Sequence, residues 1–318
     1  MTDHLGTVRA RTGIARNQYK VNSGLYCTGA PTAEAPVLVT ANYKLSFDAL
    51  RKELSGVNAW ILVADTRGIN VWCAAGKGTF SADEIALQVE RARLAEIVSH
   101  RELILPQFGA TGVASQTLNK LCGFKGTYGP LRAEDIPGFL KNDKKADESM
   151  RSVTFSTGER LILVPVEIAL VWKLFLIVTL GIFAVSGIGP EMFSLQAAWT
   201  RGLSASGATI LAILAGALAT PLLLPWIPGR QFWLKGVLTG SLAGLAYMLM
   251  VKAPSQFEKL SLLFWIISAA SYMAMNFTGA TPFTSLSGVE KEMRKGLLVQ
   301  CISVLVALIL WIAAPFVH

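Results

Sequence analysis

Five apolar stretches in the second half of the chain constrain it most. They lie near residues 167–187, 203–227, 232–251, 260–280 and 297–316. Each approaches the ~20 residues that a helix needs to cross the hydrocarbon of a bilayer. They follow one another with short connections, unlike the buried helices of a soluble core. The chain has 318 residues, of which 52% are apolar and 16% charged. The charge is concentrated early: 20 Lys/Arg and 16 Asp/Glu up to residue 165, against 9 and 5 beyond it. Residues 166–318 therefore read as an all-α membrane domain of five transmembrane helices. Pro221 and Pro225 are expected to kink or end the second span. Lys173, early in the first, can snorkel to the interface.

Five crossings put the two termini on opposite sides. With the first half inside, the inner loops carry Arg230, Lys235, Lys291, Arg294 and Lys295. The outer loops carry Arg201, Lys252 and Lys259. Lys141, Lys144, Lys145, Arg151 and Arg160 precede the first span, so the positive-inside rule predicts the first half in the cytoplasm of a multi-pass cytoplasmic-membrane protein. Met1 to Lys20 is polar and lacks the apolar region of a signal peptide. Cys27, Cys73, Cys122 and Cys301 are scattered, which fits a reducing compartment. A net charge of +8 suits anionic lipid rather than nucleic acid, because no Lys/Arg run with interleaved aromatics appears.

The charged half alternates strand and helix signals. Residues 1–35 read as an irregular N-terminal arm with a short strand within Tyr19 to Tyr26. Core strands are expected at Pro36 to Asn42, Ala59 to Ala64, Leu103 to Leu105 and Gly126 to Tyr128. Helices are expected at Phe47 to Leu54 and Ser115 to Cys122, and from a capping box at Ser81 and Glu84 to about Ser99. The pattern predicts an α/β domain over 36–140, built on an open, mostly parallel, Rossmann-like sheet. The charged segment 141–165 reads as a linker. Ligands of such sheets sit outside the carboxyl ends of the strands. Those ends supply Thr40, Asn42, Asp65, Thr66, Gln107, Phe108, Gly109, Tyr128 and Gly129 as candidate contacts. The Gly and Asn residues among them, taken singly, read equally as simple turn formers.

After the strand that ends at Ala64 comes Asn70-Val71-Trp72-Cys73-Ala74-Ala75-Gly76-Lys77. On a helix, Asn70, Cys73, Gly76 and Lys77 share one face. Ala74, Ala75 and Gly76 would let a large flat group lie close to the backbone. A lone Cys is usually a small buried hydrophobe, and that reading stands beside a ligating one. A phosphate-binding P-loop fails, because Val71 stands where Gly is needed and Gly78 where Ser or Thr is needed. No CxxC or HExxH occurs, which argues against zinc and iron–sulfur centres in this chain.

The octet resembles the signature of the corrinoid protein of microbial mercury methylation. The likeness continues through the V-L-V-T-A-N-Y-K-L-S-F-D and A-W-I-L-V-A-D-T stretches at 37–48 and 59–66. It implies a corrinoid-binding domain followed by a membrane domain, with the octet as a helix capping a cobalamin-type corrinoid. Cys73 would then be the lower axial ligand to cobalt, and Asn70, Val71, Trp72, Ala74, Ala75, Gly76 and Lys77 would line the cofactor. The implied activity is transfer of a methyl group from methyl-cobalt to Hg(II), giving methylmercury. The implied partners are a ferredoxin-like protein with two [4Fe–4S] clusters as reductant, and a methyl-tetrahydrofolate-type donor or its methyltransferase. One departure concerns Pro106-Gln107-Phe108-Gly109-Ala110-Thr111-Gly112-Val113. Gln116 stands where that family leads one to expect a His, so any role of that His is in doubt here. The loop from Asn276 to Met293 also resembles a stretch of corrinoid proteins of the acetyl-CoA pathway. It reads equally as a helix connection capped by Ser285 or Ser287.

Two other functions compete. One is a corrinoid methyl carrier of the acetyl-CoA pathway type with no mercury role; Trp72-Cys73 and the five spans argue against it. The other is a membrane protein with a nucleotide-binding regulatory domain, which needs a G-x-G-x-x-G or Walker pattern that is absent.

Overall fold

The computed structural model describes residues 2–14, 16–251, 255–284 and 286–317. The chain divides into two compact units: residues 1–10 with 14–154, and 11–13 with 155–318.

The first unit is built on a five-stranded sheet ordered β1-β3-β2-β4-β5. The strands are β1 (Gly24–Thr28), β2 (Val37–Ala41), β3 (Ala59–Ala64), β4 (Glu102–Leu105) and β5 (Lys125–Tyr128). β2, β3, β4 and β5 pair in parallel, and β1 joins β3 antiparallel at one edge. The N-terminal region is thus not irregular: it holds α1 (Thr2–Arg11), a 3-10 turn and β1. β2 and β3 are buried almost throughout, as expected of parallel strands covered on both faces.

Helices α2 (Lys44–Glu53), α3 (Val71–Gly76), α4 (Ala82–Arg91), α5 (Leu94–Ile97), α6 (Ser115–Cys122) and α7 (Ile136–Lys141) complete the unit. Two apolar clusters lie on the two sides of the sheet. One gathers Leu62, Ala64, Phe80, Ile85, Leu103, Leu105 and Phe124; the other gathers Leu38, Phe47, Leu54, Ile61, Ile104 and Phe139. The single helix expected from Ser81 to Ser99 is interrupted where Arg93 takes a left-handed φ of 50°. The expected capping box forms only in part. Ser81 Oγ accepts the N–H of Glu84 at 3.2 Å, but the Glu84 carboxylate turns away to accept the N–H of Asp65 at 2.7 Å.

The second unit is helical. Four helices are long and apolar enough to cross a membrane by length and composition: Leu195–Leu222, Phe232–Met250, Gln256–Ala280 and Ser287–Phe316. A fifth span exists only as a pair, α8 (Thr157–Leu170) and α9 (Trp172–Ser186), bent by 51°. α8 begins inside the expected linker. Ser156 and Glu159 form a full capping box there, each side chain bonding the other's backbone N–H. The second span carries a π-helical stretch over Leu214–Ala219, continues past Pro221 and stops before Pro225. A π turn is one way for a helix to absorb a residue that lacks its N–H donor. Lys252 and Ser285 lie outside the described residues.

Among the described residues, the buried ionisable groups of this unit are hydrogen-bonded. Arg201 and Glu258, 8% and 5% exposed, approach to 2.7 Å. The guanidinium also donates to the carbonyls of Ser186 and Trp311 and lies 4.5 Å from the Trp311 ring centroid. Elsewhere Lys235 donates to the carbonyls of Leu224 and Ile227 at 2.6 and 2.7 Å. Glu292 accepts the N–H of Phe232 and the hydroxyl of Thr278. Arg201 and Glu292 thereby satisfy backbone groups that helix ends leave open, and Lys235 holds the turn after Leu222.

Candidate functional site

The site grows from the carboxyl end of β3. The chain leaves the sheet at Asp65, turns through two left-handed residues, Arg67 at φ 59° and Gly68 at φ 75°, and enters α3. Asn70 is the N-cap, and its Oδ1 accepts the N–H of Cys73 at 2.9 Å. Asn is well suited to this position because its short side chain satisfies a donor that the first turn leaves unpaired.

α3 touches both β2 and the 3-10 turn Gln107–Gly109 that follows β4. From β2 the chain crosses to β3 on one side, whereas from β4 it crosses to β5 on the other. The crevice of such a sheet therefore lies between the carboxyl ends of β2 and β4. α3 is laid against that crevice.

The orientation of α3 differs in one respect from the expectation. Asn70 and Cys73 are half-buried while Gly76 and Lys77 are exposed, so the face they share is the outer one. Ala74 and Ala75, however, are buried in the unit's own core. Their small size serves close packing beneath the helix. The loop after β4 needs that closeness. A Cβ on Gly112 would meet Phe80 O at 2.3 Å and Ala75 Cα at 2.8 Å. A Cβ on Gly109 would meet the Phe80 ring at 2.6 Å. Val71 packs against the same core, and Trp72 is half-buried.

The strand-end candidates fall into two groups. Thr40, Asn42 and Thr66 are buried, as are Gly109 and Gly129. Gln107 and Phe108 are half-buried and Asp65 is exposed, beside α3. Tyr128 and Gly129 lie at the end of β5, the neighbour of β4. Tyr128 donates its hydroxyl to Val113 O, and burial pushes its pKa up. It props the loop that packs on α3. Gln116 is exposed on α6.

The sequence reading named Asn42, Asp65 and Thr66 but not the bonds among them, and it passed over Arg151 as a site residue. Asn42 Nδ2 donates to Asp65 Oδ1 at 2.8 Å, and Asn42 Oδ1 accepts the N–H groups of Thr66 and Gly68 at 3.1 and 2.9 Å. Arg151 donates to Gln107 Oε1 at 2.8 Å from the expected linker. Nothing in the local sequence marks Arg151. The pair Gly109 and Gly112, three residues apart after a strand, is a signal for close backbone approach.

Residues 12–140 match a family described as CO dehydrogenase/acetyl-CoA synthase delta subunit. Among curated relatives is the acetyl-CoA decarbonylase/synthase complex subunit gamma of Methanosarcina acetivorans. It is 30% identical over 132 residues, covering 40% of this chain and 28% of that protein. The subunit gamma of Archaeoglobus fulgidus is 28% identical over 130 residues, 40% of this chain and 27% of that protein. A subunit gamma 2 of Methanosarcina mazei is 31% identical over 134 residues. The match thus spans less than a third of the length of these relatives. It relates the α/β half of the chain to proteins of acetyl-CoA metabolism. None of these three names mentions mercury.

Proposed function

We propose that the first unit binds a cobalamin-type corrinoid, which would supply a transferable methyl group, and that Cys73 is the residue that would hold its cobalt. The observation that carries this reading is the placement of Cys73. It is a free, half-buried thiol on the outer face of α3, at the crevice between β2 and β4. The donor set fits the group: a soft sulfur ligand, with Gly76 beside it presenting no side chain. A bound corrinoid supplies a transferable methyl group. The chain's own residues do the rest. Cys73 is the ligand, Asn70 caps the helix that carries it, and Gly109 and Gly112 let the loop after β4 hold that helix down. Trp72, Gln107, Phe108 and Lys77 are the remaining groups at hand for the ring and its side chains.

Two acceptors are at issue. The relatives favour a methyl carrier of the acetyl-CoA pathway type. The octet favours Hg(II), since Trp72-Cys73 and the apolar helices set this chain apart from such carriers. Hg(II) is an electrophile, so the corrinoid would have to supply a methyl group of carbanion or radical character, and a sulfur ligand from Cys73 would be an electron-rich donor suited to that. The cysteines are dispersed over both units, so electrons come from a separate ferredoxin-like protein with two [4Fe–4S] clusters. The methyl group comes from a methyl-tetrahydrofolate-type donor. The helical unit embeds in the cytoplasmic membrane, with α8–α9 as the first of five crossings and the first unit in the cytoplasm.

The test uses the full chain in detergent, loaded with cobalamin. Sulfur ligation of cobalt in absorption or EPR spectra, with methylmercury formed from Hg(II), supports the mercury reading. Sulfur ligation with methyl transfer only to a nucleophilic acceptor supports the carrier reading. A chain that is folded but retains no corrinoid refutes both. A reporter fused after His318 that is active only in the cytoplasm refutes the five-crossing arrangement.

A further inference from the structure

We infer that Asn42 is a positioning residue for Cys73, acting through the loop between β3 and α3 rather than by touching a ligand. The inference rests on the proposed role of Cys73 but concerns residues that the sequence reading placed at the ligand.

Asn42 is 3% exposed and held on every side. Its N–H donates to Ala64 O and its C=O accepts from Val21 N, both at 2.9 Å. These bonds lock its backbone between the end of β3 and the segment before β1. The side chain is then committed to the loop. A carboxamide oxygen has two lone pairs, and two backbone donors meet it, the N–H groups of Thr66 and Gly68. The Thr66 hydroxyl lies 2.9 Å from the same oxygen and 2.6 Å from Ile69 O. It has one proton, which serves the shorter contact. The amide nitrogen donates to Asp65 Oδ1, and that oxygen also accepts the N–H of Arg67 at 3.0 Å. One side chain therefore organises residues 65 to 68 of the loop. Asn70 then caps α3 by accepting from Cys73 N.

The loop needs such a clamp. Arg67 is a non-glycine residue at φ 59°, a conformation that persists only where the surroundings over-determine it. Arg67 and Gly68 are followed within two residues by the cap of α3. Releasing Asn42 frees the loop to leave the left-handed region, and the start of α3 moves with it. α3 has six residues, too few to hold its place without a fixed entry. The sheet does not depend on this side chain, because β2, β3 and β4 are joined by their own ladder.

The experiment is peptide-resolved hydrogen exchange on the full chain in detergent, with no corrinoid added, for the parent and Asn42→Ala. Exchange over 65–77 should rise about tenfold or more, as buried hydrogen bonds are lost from one local unit. Exchange over β2 and β3 should stay within about twofold. The rate of maleimide addition to Cys73, read on its own peptide, should change in step. Unchanged exchange over 65–77 overturns the inference. So does a uniform rise across the whole first unit, which is the signature of a merely structural role. Should Asn42→Ala fail to fold, Asn42→Asp keeps an oxygen for the N–H groups of Thr66 and Gly68 and replaces the donor to Asp65 with a second carboxylate. It should raise exchange over 65–77 and not over β2 and β3, and no rise over 65–77 overturns the inference. In a second arm, cobalamin-loaded Asn42→Ala should retain corrinoid but lose the sulfur–cobalt signature. Retention of a full signature counts against positioning. If the parent itself binds no corrinoid, the proposed function fails, while the exchange result still decides whether Asn42 holds α3.

Discussion

Gly112→Ala tests whether α3 is seated by the loop after β4. The added methyl would lie 2.3 Å from Phe80 O, 2.8 Å from Ala75 Cα and 3.0 Å from Ala75 Cβ. Two of these three atoms are backbone, so no rotamer change relieves the overlap. Ordinary contact begins near 3.4 Å, and restoring it against Phe80 O requires a shift of about 1 Å between the loop and the turn after α3. Both neighbours are anchored: Phe80 and Val113 are buried in the core, and Phe80 N donates to Ala74 O. A forced fit of one methyl into packed backbone costs about 1–3 kcal/mol. In a domain of this size each kcal/mol lowers Tm by about 2–4 °C, so calorimetry should show the first unit melting some degrees early. The loss should be accompanied by faster exchange in 71–80 and 106–113. Gly181→Ala is the control, since a Cβ there meets nothing within 4 Å and a helix-interior Gly→Ala gains up to about 1 kcal/mol. A Gly112→Ala protein within about 0.5 kcal/mol of the parent, with exchange unchanged, refutes the close seating of α3.

Cys73→Ala should leave the first unit folded, with a stability change on the order of 1 kcal/mol, while the sulfur–cobalt signature of the loaded chain disappears; spectra and melting curves on one sample separate the two. Glu102 is held below the ordinary carboxylate range: burial acts to raise its pKa, and hydrogen bonds from Lys144 and Thr127 outweigh it. A carboxyl depressed in the fold stabilises it above the unfolded pKa and loses that contribution as pH falls through the folded value. Glu102→Gln should therefore cost under about 1 kcal/mol at pH 7 for so exposed a pair, and nothing once the parent is titrated below that range in a urea series. Glu258→Gln should destabilise the helical unit by about 3–5 kcal/mol by leaving Arg201 buried without its countercharge. Arg201→Met with Glu258→Met should recover most of that loss in a detergent melt, and equal losses in single and double variants would contradict the pairing.

Much of the α/β unit was legible because its punctuation is strong. Ala59 to Ala64 is a continuous apolar run before a polar turn, and Ser115 to Cys122 ends at Gly123, whose φ is 75°. Both appear at the bounds read from sequence. α7 was missed because six residues containing Pro137 and Gly138 carry no period. The start of α8 was legible and was passed over: Ser156 and Glu159 have the same spacing as Ser81 and Glu84. Periodicity placed Asn70, Cys73, Gly76 and Lys77 on one face of α3. It did not say which face looks inward, because that depends on where Phe80 and Gly112 arrive. The clamp at Asn42 was beyond reach for a similar reason. Its partners are 23 to 26 residues away in sequence, and only the pairing of β2 with β3 brings them together.

The two N–H groups that converge on Asn42 Oδ1 have a chemical consequence of their own. Successive backbone donors around a left-handed turn form a concavity suited to anions. At the same point of a strand-loop-helix unit, dinucleotide-binding folds receive a pyrophosphate. Here the concavity is plugged by a neutral oxygen of the chain itself, and further along, in the first turn of α3, Cys73 N is taken by Asn70. An anion arriving here would find these three donors already held by side-chain oxygens of the chain itself, and the half-buried group beside them is the thiol of Cys73.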